Sequence, residues 1–367
     1  MYVEGKDLKR LFISDCEGPI SKNDNAYELA ANFIPSGDKL FSNISKYDDV
    51  LADVLEKSGY SAGSTLRLIL PFFKAYGLTD QQVEEFSAKN ILLLANTQAT
   101  LRHIQQVGDA FIVSTSYEQY IKALCKAVEF PYQNTYCTKL NLDNYTITPQ
   151  EAEKLKTFAQ EIAQMPLIEI PSTAVALGDF SPVDQASLKR LDEIFWKEIP
   201  QMSVGKLLTD VVTIGGEQKA QAIRDAAERS GVRLSDVMYV GDSITDVEAL
   251  KLVREEGGLA VSFNGNSYAV RNAEISVCSE SNLVLAIVAD IFCRLGKTPA
   301  MKVFMYWTRA AVEESGTSGA LLRQAYKVYP RTLPRLEIIT PRNVDALVKE
   351  SSAFRKQVRG VAIGRLG

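Results

Sequence analysis

Four short, mostly apolar runs punctuate this chain, at residues 10–14, 109–113, 237–240 and 259–263. Their apolar positions are contiguous rather than alternating, which is how strands buried on both faces read. Helical periodicity separates them, as at 117–128 and 219–230. Strands alternating with helices predict an α/β fold built on a doubly wound parallel sheet. The stretch between the first two runs is too long for one crossover. Residues 21–106 are mostly helical in pattern, with helix starts at Ser64 and Thr79, and that length predicts an inserted helical domain rather than a loop. Residues 134–142 and 145–148 alternate polar and apolar positions across Asp143-Asn144, a pattern that predicts a β-hairpin. Residues 149–207 read as a second insertion, helical at both ends (151–164 and 184–197). Beyond Gly296 the pattern is helical again, broken at Pro330, Pro334 and Pro341. The expected division is a core of 1–20, 107–150 and 208–295, a helical cap of 21–106, a mainly helical second insertion of 151–207, and a helical C-terminal extension of 296–367.

Composition narrows the class. A chain of 367 residues, 46% hydrophobic and 23% charged, can bury a full core and an accessory domain and reads as an ordinary globular protein. The apolar stretch 282–295 is interrupted by Asp290 and is too short to span a bilayer. The N-terminal segment is charged (Glu4, Lys6, Asp7, Lys9, Arg10) and lacks an apolar signal region, so export is not expected. The five cysteines are scattered with no CxxC pair, which argues against a zinc site or a disulfide framework and for a reducing cytoplasm. The net charge of −4 hides an asymmetry, because residues 319–367 hold ten Arg or Lys against three acids. Such a tail can bind an anion, a nucleic acid or an acidic partner. It can equally form a solvated amphipathic helix docked on an acidic body. No basic-aromatic interleaving stands out, so nucleic acid is not expected. The apolar helix at 283–292 and the C-terminal helices could support a homodimer.

The chemistry concentrates at strand ends. Asp15 and Glu17 close the first run, followed at once by Gly18-Pro19. A carboxylate at the C-terminal end of a central strand sits where α/β sheets bind ligands. There it can act as a nucleophile or a metal ligand, and an acid two residues on can serve as general acid and base. Both could also be turn acids. Ser114 ends the second run, and Thr115, Ser116 and Tyr117 are expected to open a helix, whose free N–H groups make a phosphate seat or an ordinary N-cap. Lys219 follows Gly215-Gly216 where a helix begins. It could neutralise a phosphate oxygen or lie on the surface, and the spacing is not that of a Walker A loop. Asp242 follows the third run after Gly241, with Asp246 four residues on. These acids also suit a helix N-terminus. If the first and third strands are neighbours, Asp15, Glu17, Asp242 and Asp246 gather at one sheet edge, a set of hard oxygen ligands suited to Mg²⁺.

The order of these signals resembles the four motifs of the haloacid dehalogenase superfamily: strand-Asp-x-Glu-Gly, strand-Ser, Lys at a helix start, strand-Gly-Asp-x₃-Asp. The resemblance covers 11–19, 109–128 and 212–281, and the insertions fall where that superfamily places cap modules. It implies a Rossmann-like parallel sheet, with Asp15 as nucleophile and Glu17 as general acid/base. It also implies that Ser114, with Thr115, and Lys219 hold the phosphoryl group, and that Asp15, Glu17, Asp242 and Asp246 surround Mg²⁺. Most phosphatases of the superfamily have Asp where this chain has Glu17, although phosphoserine-phosphatase-like members also use Glu. Gly18-Pro19 replaces the more usual Gly-Thr. The overall likeness is to an archaeal group of phosphoserine-phosphatase-like members, some labelled as a subunit of energy-converting hydrogenase.

The function these features predict is a Mg²⁺-dependent phosphohydrolase acting on a small phosphorylated metabolite through an aspartyl phosphate. A phosphotransferase or phosphomutase, and a non-catalytic regulatory or assembly subunit docking through its basic C-terminal helices, are the alternatives. A receiver domain uses similar residues within a far shorter unit. His103, the only histidine, is expected on the surface of a polar helix. Cys16, Trp196 and Trp307 are expected to pack in cores.

Overall fold

The computed structural model describes residues 9–171 and 173–366. Glu4, Lys6, Asp7 and the rest of 1–8, Ser172 in the second insertion and Gly367 lie outside the described residues.

All four apolar runs are strands. They belong to one seven-stranded sheet of order β3-β2-β1-β4-β5-β6-β7. Its members are β1 (Leu11–Ser14), β2 (Asp109–Tyr117), β3 (Thr135–Thr138), β4 (Val237–Gly241), β5 (Leu259–Phe263), β6 (Ile275–Cys278) and β7 (Arg335–Ile338). Every pair is parallel except β6–β7. Side chains alternate across β1: Leu11 and Ile13 join one core and Phe12 the other. The helices Glu217–Ser230 and Val247–Glu255 cover the first face, and Thr97–Val107, Glu118–Val128 and Leu283–Leu295 the second. This is the α/β layering that the sequence predicts.

Three local expectations change. β2 does not stop at Val113; a register shift before Tyr117 lets Tyr117 pair with Thr138. The next helix therefore begins at Glu118, and Thr115, Ser116 and Tyr117 belong to the strand rather than opening the helix. The hairpin across Asp143-Asn144 does not form. Residues Thr135–Thr138 add a parallel strand beside β2, and Leu142–Asn144 is a tight 3-10 turn capped by the Asn141 side chain. Thr148 and Glu151 then cap each other at the start of Pro149–Gln164, so 145–148 lead into a helix. β6 and β7 are not among the predicted strands, because polar residues alternate through both and neither forms a contiguous apolar run. β7 also lies between Pro334 and Pro341, which read as breaks.

The two insertions share one core, which joins Leu40, Ile44 and Phe72 to Leu155, Ile162 and Phe195. Asn43, buried on the helix Gly37–Asp49, ties them by donating to the carbonyls of Ile162 (2.9 Å) and Met165 (3.2 Å). Residues 21–106 are not one unit, however, since Thr97–Val107 packs its Leu101 and Ile104 into the sheet layer.

The helix Leu283–Leu295 is buried from Leu283 to Cys293, as a helix apolar all round should be. Its surface is used inside this chain and does not supply the dimer face that its sequence suggested. Asp290, the one acid within it, accepts from Arg294 Nε (2.8 Å) and faces His103 Nε2 at 3.0 Å. His103 is therefore a half-buried partner of a core carboxylate and not a surface residue. Cys16 is fully buried. Trp196 and Trp307 make packing and hydrogen-bond contacts, to Tyr47 and to the Pro334 carbonyl. Among the described residues no helix is long and apolar enough to cross a membrane.

Candidate active site

The site forms because β1 and β4 are neighbours in register, Ser14 opposite Val240. The Asp15 N–H continues that ladder to the Val240 carbonyl (2.8 Å). Asp15 and Asp242 thus leave the sheet side by side at its C-terminal edge. Gly18, at φ +111°, follows the turn, and a Cβ there would collide with the Asp242 carboxylate. Only glycine accepts both this backbone angle and that approach.

Lys219 is fully buried and joins the two strand ends. Its Nζ lies 2.9 Å from Asp15 Oδ2 and 2.7 Å from Asp246 Oδ1. The Gly215-Gly216 turn brings it there: Gly216, at φ +54°, donates to the Thr245 carbonyl (3.0 Å). Lys219 is therefore no surface lysine. Asp246 lies in a 3-10 turn, Ile244–Asp246, ahead of the helix Val247–Glu255. Its Oδ1 also accepts from Tyr239 Oη (2.6 Å), and its Oδ2 from the N–H groups of Asp242 (2.9 Å) and Ser243 (3.0 Å).

Asp15, Asp242 and Asp246 are buried and offer one oxygen each within 4.8 Å of one another. Such a set of hard oxygen donors fits a divalent cation such as Mg²⁺. Because protein donors surround Asp246, Asp15 and Asp242 are the carboxylates best placed to hold the ion, with Asp246 fixing the loop beneath. Glu17 does not join this group. Its Oε1 accepts the Asn25 N–H (2.7 Å) at the start of the cap helix Asn25–Phe33. The expectation that the Glu17 carboxylate ligates the metal is corrected accordingly: the chain bends at Cys16, between the two acids, and the Glu17 side chain meets the cap.

Ser114 and Thr115 line the same cavity as Asp15, Glu17 and Asp242. The irregular end of β2 places them there, not a helix start. Ser114 Oγ accepts the Ser116 N–H (3.2 Å), and the Thr115 carbonyl accepts from Thr138 Oγ1 (2.6 Å). The sequence-predicted residues are thus brought together. Three others were missed. Arg355 and Arg359, from the helix Val344–Arg359, both reach Asp242 Oδ2, and Asp24 lines the cavity. The basic bias of 319–367 was the available signal for the arginines, but nothing local said where they would land.

Burial sets the electrostatics. It pushes Asp15 up to about 6, although Lys219 opposes the shift; Asp246 adds to it. Burial, reinforced by Asp24, raises Glu17 well above the usual carboxylate range, a shift that favours its protonated form. Lys219 titrates above its ordinary value because Asp15 and Asp246 together outweigh the opposing effect of burial.

These shifts carry a stability prediction. Burial also raises Asp48 to about 6 and Glu28 to about 7. An acid whose folded pKa lies above its unfolded one binds more protons folded than unfolded, so stability falls as pH rises between the two values. In EDTA the urea midpoint is expected to be higher at pH 5 than at pH 7.5. A midpoint that rises over that interval would contradict these carboxyl environments.

Sheet order, helical insertions and strand-end acids together have the form of a haloacid dehalogenase-like fold. Residues 110–290 match the model of the family described as haloacid dehalogenase-like hydrolase. Over nearly its whole length the chain is also similar to a gene product of Archaeoglobus fulgidus of solved structure, at 26% identity and a TM-score of 0.78, covering 98% of this chain and 99% of that one. A substrate-bound phosphoserine phosphatase matches more weakly, at 13% identity and a TM-score of 0.43 over 74% of this chain and 94% of its own. A phospho-aspartyl intermediate analogue of phosphoserine phosphatase matches at 12% and 0.42, over 73% and 93%. Neither transfers an activity at that level. No curated protein matches the chain in sequence. The superfamily likeness read from the motifs is borne out; the hydrogenase-subunit label finds no support in these matches.

Proposed function

We propose that this chain is a Mg²⁺-dependent phosphohydrolase of a small phosphorylated metabolite, working in the cytoplasm through an aspartyl phosphate on Asp15. The observation that carries the reading is the buried Lys219 bridging Asp15 and Asp246 at the mouth of β1 and β4. A fully buried ammonium between two carboxylates is costly as a purely structural device. At a phosphoryl-transfer site it offsets charge on the transferring oxygens.

Asp15, accepting the Cys16 N–H on Oδ1 (2.7 Å), is held rigid for in-line attack on phosphorus. As the P–O bond to the leaving group breaks, Glu17 gives its proton to the departing oxygen. The resulting Glu17 carboxylate then takes a proton from water, whose oxygen attacks the phosphorus of the aspartyl phosphate. Phosphate leaves and Asp15 is restored. Ser114 and Thr115 orient the phosphoryl oxygens, and the cap above Glu17 excludes bulk water. A divalent cation held by Asp15 and Asp242 would supply additional positive charge to those oxygens.

Hydrolysis of p-nitrophenyl phosphate in Mg²⁺ buffer, followed by a panel of phosphorylated metabolites, tests the reading. Mg²⁺-dependent turnover is expected. No turnover of any ester overturns it in favour of a non-catalytic subunit that keeps the fold. Turnover only with a second acceptor present would instead indicate a phosphotransferase.

A further inference from the structure

The C-terminal helix Val344–Arg359 is fastened over the site at several points. Arg355 Nη1 reaches both Asp242 Oδ2 and the Asp242 carbonyl (3.2 Å), and its Nη2 reaches the Leu366 carbonyl (3.5 Å). Arg359 Nη1 meets the same Asp242 Oδ2 at 3.2 Å, while its Nε donates to the Lys22 carbonyl (3.2 Å) and its Nη2 to that of Asn23. Ser351 Oγ holds the Gly265 carbonyl (2.7 Å). The helix therefore clasps the loop after β4, the loop after β5 and the segment leading into the cap.

Two features set this apart from an ordinary helix anchor. The first is charge crowding. Two guanidinium groups, with side chains 3% and 5% exposed, converge on one carboxylate oxygen, where each disfavours the other. Among the described residues Arg355 Nε is buried with no hydrogen-bond partner, and an unpaired buried donor is costly. The second is volume. The cavity bounded by Asp15, Glu17, Asp242, Arg355, Arg359 and Leu366 holds about 90 Å³. That is well under the roughly 300 Å³ at which small-molecule sites begin. As it stands, the site is too narrow for a small-molecule substrate.

We infer that Arg355 and Arg359 are a tethered counter-cation that competes with a divalent cation for Asp242, so that the C-terminal helix straps the site in its narrow form until the ion displaces it. The inference rests on the metal-site reading above. A guanidinium stays protonated at any working pH, so the exchange is a displacement of one cation by another. A doubly charged ion beside two guanidiniums on a shared carboxylate is repelled by both, so the ion and the strap compete for Asp242.

The experiment uses the full chain and reads binding and motion, not turnover. Mg²⁺ is titrated calorimetrically into wild type and into R355Q/R359Q, and hydrogen exchange over 344–359 is followed in wild type with and without Mg²⁺. The double variant is expected to bind Mg²⁺ about tenfold or more tightly than wild type. Saturating Mg²⁺ is expected to speed exchange in the wild-type helix, and D242N to abolish that effect. Equal affinities, failure of both proteins to bind Mg²⁺, or a helix whose exchange ignores the ion each overturn the inference. If the double variant does not fold, the wild-type and D242N exchange measurements decide alone. Ester turnover with unchanged helix exchange refutes the strap and leaves the phosphatase reading intact; the reverse outcome refutes the phosphatase and keeps the strap.

Discussion

Asp15→Asn is expected to reduce turnover of p-nitrophenyl phosphate by roughly 10⁴- to 10⁶-fold, the scale on which loss of a nucleophile is felt. The substitution keeps the shape of the side chain, and an amide oxygen can still accept from the Cys16 N–H or from Lys219. What it removes is the charged carboxylate oxygen that would attack phosphorus. The loss should therefore appear in kcat, with the circular dichroism spectrum unchanged. The variant is informative for a second reason. Asp15 titrates near 6, so if it is the nucleophile, wild-type activity climbs as pH passes that value, and the residual activity of the variant does not. Equal turnover by the two proteins would remove Asp15 from the mechanism altogether.

Lys219→Met is expected to cost about 3–5 kcal/mol of stability in EDTA, the range for removing one partner of a buried ionic group. Methionine nearly matches the stem of lysine in volume, so packing is not the cause. The cause is that Asp15 and Asp246 then face each other inside the protein with no intervening cation. Asp246 keeps Tyr239 and two backbone N–H groups, whereas Asp15 keeps only the Cys16 N–H. The destabilisation should shrink in Mg²⁺, because a cation between the carboxylates restores the missing charge. Urea unfolding in EDTA and in Mg²⁺ measures both effects. A loss below about 1 kcal/mol in EDTA would mean that Lys219 is not the element balancing these acids.

Much of this site was legible in the chain because it depends on strand ends. Apolar runs at 10–14 and 237–240 locate two strands, and a carboxylate just after each must emerge at the sheet edge wherever the strands pair. Ser114 and Lys219 were legible for the same reason, as polar residues placed where an apolar run or a Gly-Gly turn ends. The direction of Glu17 was not legible. Alternation along an extended chain puts it beside Asp15, but the chain bends at Cys16 and the carboxylate meets the cap helix instead. β7 was hidden by its prolines, which mark a break equally well when the break encloses an edge strand. The roles of Arg355 and Arg359 were the least accessible. Their charge was visible as a bias of composition, but their contact with Asp242 is fixed by the seating of the C-terminal helix on loops far away in sequence, and no local pattern encodes that.

The position of β1 at the centre of the sheet bears on how the protein assembles. Leu11 pairs with Asp109 on one side and Val237 on the other, so the strand carrying Asp15 has no nearby partner in the chain. Each of its ladders closes a long loop, and parallel pairings of such high contact order form slowly. The helices between 25 and 89 bury their apolar faces against near neighbours and against 149–164, contacts that are largely more local. Refolding from urea should therefore show helical signal early and the β1 pairings late, with both edges of β1 open to wrong partners in the interval. The strand that ends at Asp15 is the one that most needs low protein concentration, or a chaperone, while the rest of the sheet arrives.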